Sequence, residues 1–334
     1  MSAERIAVLG AGAWGTTVAR MLAMAGQPVT LWVHRADAAA TMRADGENGR
    51  YLPGASFPAG MTITGDDAGL AGDHRLRVVA VPSEHVRATL SRLRPQIDDG
   101  TPLLSLVKGI EAGTHHRVSE VIADVLPAAP VAVLSGPNLA REIAAGQPAG
   151  TVVASVLPEL AQEVSALLGT DRFRVYTSRD VVGVELGGAL KNVIALAAGM
   201  ADGMDMGDSG KAAIITRGLA EMTRLGVASG ADPRTFSGLA GVGDLMATCM
   251  SALSRNRRAG ELLARGHAWP EVAEQLNGVA EGAASVHGAL QLAARLGVEL
   301  PIADQVAAVL AGERTAPAAL ASLMARAQRD ELPA

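Results

Sequence analysis

Lysine is scarce in this chain, and its placement points to chemistry. Of 29 basic residues only Lys108, Lys191 and Lys211 are lysine; the others are arginine. Lys191 lies in Glu185-Leu186-Gly187-Gly188-Ala189-Leu190-Lys191-Asn192-Val193-Ile194, where apolar residues flank every turn and predict a buried helix. A buried ammonium without a partner is costly and has its pKa lowered. In a cleft beside a carbonyl, such an amine can give and take a proton. The competing reading is a buried structural ion pair with Glu185. Lys108, in Leu106-Val107-Lys108-Gly109-Ile110-Glu111, follows a predicted strand, on the side of an open α/β sheet where ligands bind.

Three further segments accompany the lysines. Leu134-Ser135-Gly136-Pro137-Asn138-Leu139-Ala140 is a strand end turning into a helix, suited to phosphate or carbonyl contact, or else a capped turn. Asp244, in Gly241-Val242-Gly243-Asp244-Leu245-Met246-Ala247-Thr248, is acceptor-only when ionised and could orient Lys191 or a substrate hydroxyl. In Ser254-Arg255-Asn256-Arg257-Arg258, Arg255 and Asn256 offer donors suited to a phosphate dianion. The run Arg255–Arg258 reads equally as a solvated helix face, to which Arg257 and Arg258 are assigned, and Lys211 as structural.

Gly10-Ala11-Gly12-Ala13-Trp14-Gly15 carries a different signal. It follows a first apolar strand and opens a helix. In that setting Gly10 permits the tight turn, Gly12 admits a pyrophosphate, and Gly15 lets helix pack on strand. At the end of the second strand an NAD-specific site places a carboxylate on the ribose 2′-hydroxyl. Here the chain reads Leu31-Trp32-Val33-His34-Arg35, and Arg35 suits a 2′-phosphate, or else is a solvated strand-end charge. NADP(H) is favoured, with NAD(H) as a second cofactor.

The elements that position these residues alternate in the first half. Strands are predicted at 5–9, 29–33, 61–64, 76–81, 103–107, 131–134, 151–154 and 174–177, with helices between them at 16–25, 84–93, 117–126 and 158–168. The strands are continuous apolar runs, as in sheets covered on both faces. This predicts an α/β fold with an N-terminal Rossmann-like, doubly wound sheet. Beyond about Asp180 only helices are predicted, at 181–204, 209–229, 260–265, 269–276, 283–296, 302–310 and 316–327. The expected domains are residues 1–182, binding the dinucleotide, and residues 183–334, an all-α substrate and catalytic domain.

Composition narrows the class. The chain has 334 residues, 49% apolar and 19% charged, enough for a large core and too apolar for a solvating chain. A net charge of −5 argues against a nucleic-acid partner. The single cysteine, Cys249, excludes an internal disulfide framework and fits a reducing compartment. Met1-Ser2-Ala3-Glu4-Arg5 leads into the first strand without signal-peptide order. Apolar stretches such as 193–201 fall short of the ~18 residues a membrane span needs. A cytoplasmic protein without a membrane span is expected, and apolar helical surface in the second domain leaves room for a homodimer. His115 and His116, adjacent and therefore divergent on a helix, and the Asp202, Asp205 and Asp208 run, read as loop and cap residues, imply no metal.

In order along the chain, GAGAWG at 10–15, LVKGIE at 106–111, LSGPN at 134–138, ELGGALKNVIALAAGM at 185–200, GDSGKAAIITRGLAEM at 207–222, GLAGVGDL at 238–245, SRNRRAG at 254–260 and VAEG at 279–282 resemble the bacterial-type NAD(P)H-dependent glycerol-3-phosphate dehydrogenase family. The resemblance implies reversible reduction of dihydroxyacetone phosphate to sn-glycerol 3-phosphate, supplying the backbone for phospholipid synthesis. It places Trp14, His34, Arg35, Tyr51, Lys108, Ala140, Arg255, Val279 and Glu281 along the dinucleotide. Lys108, Gly136, Asn138, Lys191, Asp244, Ser254, Arg255 and Asn256 would surround the substrate. Lys191 would accept the proton in the oxidative direction, with Lys108 and Asn192 stabilising the substrate oxygen. Asn138 stands where the family has serine, and Ser209 where it has asparagine; an amide at 138 can still donate to a phosphate oxygen. Two other readings are a related two-domain hydroxyacid dehydrogenase and a non-catalytic NADPH-sensing protein.

Overall fold

The computed structural model describes residues 5–98, 100–276, 279–327 and 330–331. The segment Met1–Glu4, on which the reading of the amino terminus rests, lies outside the described residues.

Eight strands form one sheet: β1 (Arg5–Leu9), β2 (Val29–Trp32), β3 (Met61–Thr64), β4 (His74–Val79), β5 (Leu103–Ser105), β6 (Val131–Ser135), β7 (Ala149–Ala154) and β8 (Phe173–Ser178). Their order is β3-β2-β1-β4-β5-β6-β7-β8. All neighbours run parallel except β6 and β7. Helices between the strands are α1 (Ala13–Met24), α2 (Ala36–Asp45), α3 (Val86–Leu93), α4 (Val118–Val125), α5 (Ala140–Ala144) and α6 (Pro158–Leu168). Two-faced covering explains the unbroken apolar strands. In β1, Ile6 and Val8 enter the core under α1 and α6, while Ala7 and Leu9 enter the core under α3 and α4. The chain turns to opposite sides from β1, to β2 and to β4, so a crevice opens at the carboxyl ends of those strands.

After β8 the chain is helical: α7 (Val181–Gly203), α8 (Gly207–Ala228), α9 (Pro233–Phe236), α10 (Asp244–Met250), α11 (Arg255–Ala264), α12 (Trp269–Gln275), α13 (Glu281–Leu296), α14 (Pro301–Leu310) and α15 (Ala316–Met324). A single π-helical turn, Leu239–Gly243, precedes α10. α7 is the axis of this half, packed by α8, α10, α11, α13 and α14 and by strand β6. α11 approaches so closely that a Cβ at Gly199 would strike the Arg257 carbonyl oxygen.

Several elements differ from the sequence expectations. α7, at 23 residues, is long and apolar enough to cross a bilayer, unlike the 193–201 stretch taken alone. Its burial inside the helical half, 89% over the apolar window, is that of a core helix. α11 begins at Arg255 rather than Gly260. His115 and His116 lie in a turn, His115 with φ +64°, and not on a helix. Asp202 lies within α7 instead of a loop, and pairs with Lys211 at 2.8 Å and Arg257 at 2.6 Å. Arg257 is therefore an interior link between α7 and α11, not a solvated residue; Arg258 remains exposed.

Candidate active site

The glycine-rich turn has the shape its sequence demands. Gly10 has φ +117°, and a Cβ there would lie 2.7 Å from the Ala80 backbone of the adjoining strand. A Cβ at Gly15 would collide with the Gly10 carbonyl oxygen, whereas one at Gly12 meets nothing within 4 Å. Two of the glycines are needed by the fold, and the third leaves open space. Gly12 is the N-cap of α1 with no side-chain cap, so the first amides of the helix are available to an anion. The loop after α2 secures this turn: Asn48 donates through Nδ2 to the Ala11 carbonyl and to Thr16 Oγ1, both at 2.8 Å. Among the described residues the buried Trp14 Nε1 meets no acceptor, so it can donate to a group bound at this turn. These residues fit a pyrophosphate-bearing cofactor.

Past β2, His34 stands edge-on to Trp32, and Arg92 of α3 donates to His34 Nδ1 at 3.2 Å. The Arg35 guanidinium is largely exposed and rests on Asp37 at 2.7 Å. Arg92 thus brings a second guanidinium to this strand end, where the sequence singled out one.

The lysines meet at one carboxylate. Lys191 donates to Asp244 Oδ1 at 2.8 Å and to Thr248 Oγ1 at 2.7 Å. Lys108 donates to Asp244 Oδ2 at 2.6 Å and to the Gly136 carbonyl at 2.8 Å. Asp244 is 1% exposed and Lys191 6%. Burial alone would raise the Asp244 pKa, but the charges of Lys108 and Lys191 prevail and hold it below the ordinary carboxylate value. Desolvation lowers Lys108 to about 8; Asp244 opposes the shift and the Lys191 charge adds to it. Room for this cluster comes from Gly188, where a Cβ would sit 2.5 Å from Ser135 Oγ and 3.3 Å from Lys108 Cγ.

Glu185 is not the partner of Lys191. Six residues apart on a helix, the two leave α7 on different sides. Glu185 accepts from Arg117 Nη1 at 2.6 Å, Ser119 Oγ at 2.6 Å and the Ser119 amide at 2.8 Å. It ties α4 to α7, and burial raises its pKa despite Arg117.

The remaining candidates divide. Arg255 opens α11 beside the cleft, within electrostatic reach of Glu281 and Tyr51, and desolvation lowers its pKa. Glu281 begins α13 and accepts from Ser83 Oγ at 2.8 Å. Val279 lies two residues earlier and is partly buried. Ala140 opens α5, its carbonyl accepting from Thr17 of α1 at 3.2 Å. The Asn138 amide donates to Thr151 at 3.0 Å, which engages one of its two N–H groups within the sheet. The Ser254 hydroxyl caps α11 by accepting from the Arg257 amide. Asn192 donates weakly to the Lys108 and Gly188 carbonyls, which removes it as a direct donor to a substrate oxygen.

A family described as the NAD-dependent glycerol-3-phosphate dehydrogenase N-terminus matches residues 5–161, and its C-terminus matches residues 180–321. The chain belongs to the glycerol-3-phosphate dehydrogenase family.

It is 48% identical over 329 residues to a glycerol-3-phosphate dehydrogenase [NAD(P)+] of Corynebacterium glutamicum, covering 98% of this chain and 99% of that one. A Streptomyces coelicolor relative of the same name is 49% identical, with 98% of each chain covered. The crystal structure of a glycerol-3-phosphate dehydrogenase from Coxiella burnetii superposes with a TM-score of 0.94 at 37% identity, covering 97% and 99% of the two chains. Against this dehydrogenase background, three polar residues stand at the site without having been singled out from the sequence. Thr248, one turn after Asp244, fixes the Lys191 ammonium. Asn48 and Arg92 come from a loop and a helix with no local motif, and only the fold brings them to the cofactor side. A groove of about 610 Å³ lined by Gly150, Arg174, Tyr176 and Leu239 contains none of the site residues.

Proposed function

We propose that this chain reduces dihydroxyacetone phosphate to sn-glycerol 3-phosphate with NAD(P)H, reversibly, and that Lys191 moves the proton. The observation that carries this reading is the pair of ammonium groups held on the two oxygens of one buried carboxylate. A bound dihydronicotinamide supplies hydride to the substrate C2. The C2 oxygen gains negative charge as this happens, and Lys191, as ammonium, donates a proton to it. Thr248 and Asp244 hold the Lys191 amine in one orientation, so little reorganisation accompanies the transfer. Lys108 adds a second positive charge beside the developing alkoxide. In the oxidative direction the neutral Lys191 amine accepts the same proton. Arg255 supplies a guanidinium for the substrate phosphate, and Arg35 for a cofactor 2′-phosphate.

The division of labour follows the proposed boundary, with residues 1–182 holding the dinucleotide and residues 183–334 the catalytic amine. Cytoplasmic residence, a role in phospholipid synthesis and a homodimeric state complete the reading. The test is loss of reduced-nicotinamide absorbance when protein, NADPH and dihydroxyacetone phosphate are mixed, repeated with NADH and with unphosphorylated dihydroxyacetone. Turnover that requires the phosphate supports the assignment. Turnover of 2-oxo acids instead, or tight NADPH binding without turnover, refutes it.

A further inference from the structure

Asn256 touches the walls of the site in a way that a simple substrate ligand does not require. Its Oδ1 accepts from the backbone amide of Gly282 at 3.0 Å, and its Nδ2 donates to Asn192 Oδ1 at 2.9 Å. Asn192 Nδ2 in turn faces the Lys108 carbonyl at 3.4 Å and the Gly188 carbonyl at 3.3 Å. A backbone N–H can only donate and a backbone carbonyl can only accept, so both ends of the relay fix the orientation of the two amides between them. Neither side chain can flip without losing its partners at both ends. Both are buried, Asn256 at 7% and Asn192 at 4% exposure.

The relay ends at functional groups on each side. Gly282 follows Glu281, whose carboxylate accepts from Ser83 of the sheet domain. Lys108 carries one of the two ammonium groups on Asp244. Packing leaves the relay no slack: a Cβ at Gly282 would lie 2.5 Å from the Asn192 carbonyl oxygen. The two side-chain amides thus form a continuous hydrogen-bonded path from the start of α13 to the Lys108 turn and to the helix bearing Lys191.

We propose that Asn256 is a positioning residue that couples occupancy of the dinucleotide wall at Glu281 to the substrate-binding geometry of Lys108 and Lys191. The inference rests on the proposed dehydrogenase function and adds to it a source of binding cooperativity between cofactor and substrate. Coupling of this kind is reciprocal and is read as one factor from either ligand.

The experiment titrates NADPH by fluorescence with and without saturating sn-glycerol 3-phosphate, a pair that cannot react. In the unaltered protein the substrate tightens NADPH binding about tenfold, within the usual range of such couplings. In Asn256→Ala the factor falls below about twofold, while NADPH affinity in the absence of substrate stays within about threefold. Asn192→Asp keeps the acceptor for Asn256 but removes the amide facing Lys108. It also loses the coupling, and it decides the matter if Asn256→Ala does not fold. Variants that bind substrate more weakly but keep the full coupling factor overturn the proposal, since that is the behaviour of a plain ligand. If the unaltered protein neither turns over dihydroxyacetone phosphate nor couples the two ligands, the functional reading itself fails. If it turns over dihydroxyacetone phosphate but either shows no coupling or couples equally in the variants, only the relay fails.

Discussion

Lys108, past the end of β5, and Lys191, on α7, meet at Asp244, one ammonium on each carboxylate oxygen, at 2.6 and 2.8 Å. Two cations on one buried anion leave a net positive charge at this site. That is the environment a ketone oxygen needs as it becomes an alkoxide. Burial draws Lys108 down to about 8.

The pH profile follows from that value. Lys108 is charged below about 8 and loses its proton as pH rises through it. The substrate KM therefore rises above that pH as one cation leaves the site. Lys108→Arg, whose guanidinium stays protonated, removes this rise in KM while lowering turnover through its altered shape. Initial rates from neutral to alkaline pH check both statements.

Arg35 is predicted to set cofactor choice. Its replacement by serine removes a guanidinium available to a 2′-phosphate, a contact worth about 1.5–3 kcal/mol. NADPH should lose roughly tenfold or more in kcat/KM while NADH changes little. Steady-state rates with both cofactors measure the ratio, and an unchanged ratio removes Arg35 from the cofactor site.

Arg255→Ala should act on substrate binding, raising KM for dihydroxyacetone phosphate by roughly 10- to 100-fold. Its effect on kcat should be far smaller, since the phosphate is remote from the reacting carbon. The KM measured at saturating NADPH checks the assignment, and an unmoved KM contradicts it.

Stability has its own pH signature at Glu221. This buried carboxylate on α8 accepts from the Ile302 amide at 2.7 Å, at the start of α14, and burial pushes its pKa to about 7. The folded protein then holds the proton more tightly than the unfolded chain. Between the ordinary value of 4.5 and about 7, stability falls as pH rises. Glu221→Gln keeps an acceptor for the Ile302 amide without the charge. Its melting temperature should gain on the unaltered protein on going from about pH 5 to about pH 8.

The inner strands of the sheet, such as β1, β2 and β5, were legible because they are buried on both faces. β3 and α6 coincide with the expected 61–64 and 158–168. α2 was not read from the sequence, because only Ala39 and Met42 of its ten residues are buried and no apolar stripe marks it. The run Arg255–Arg258 was read as a helix face but not joined to the helix expected from Gly260, because it carries no apolar residue, although Ser254 caps it as its residue type allows. Lys108, Lys191 and Asp244 stood out through residue type and apolar surroundings. The partners of Glu185 and Asn192 did not: Arg117 lies 68 residues from Glu185, and Asn256 lies 64 from Asn192. Local pattern carries no information about such pairs, and only the packing of α4, α7 and α11 makes them.

The central claim is that the Lys191 amine moves the proton, and its most direct test is turnover of Lys191→Ala at saturating NADPH and dihydroxyacetone phosphate. A positioned general acid contributes about 10²–10⁴-fold, so kcat should fall by at least about a hundredfold while NADPH affinity is nearly unchanged. A folded variant that keeps more than about a tenth of the original kcat would contradict the account.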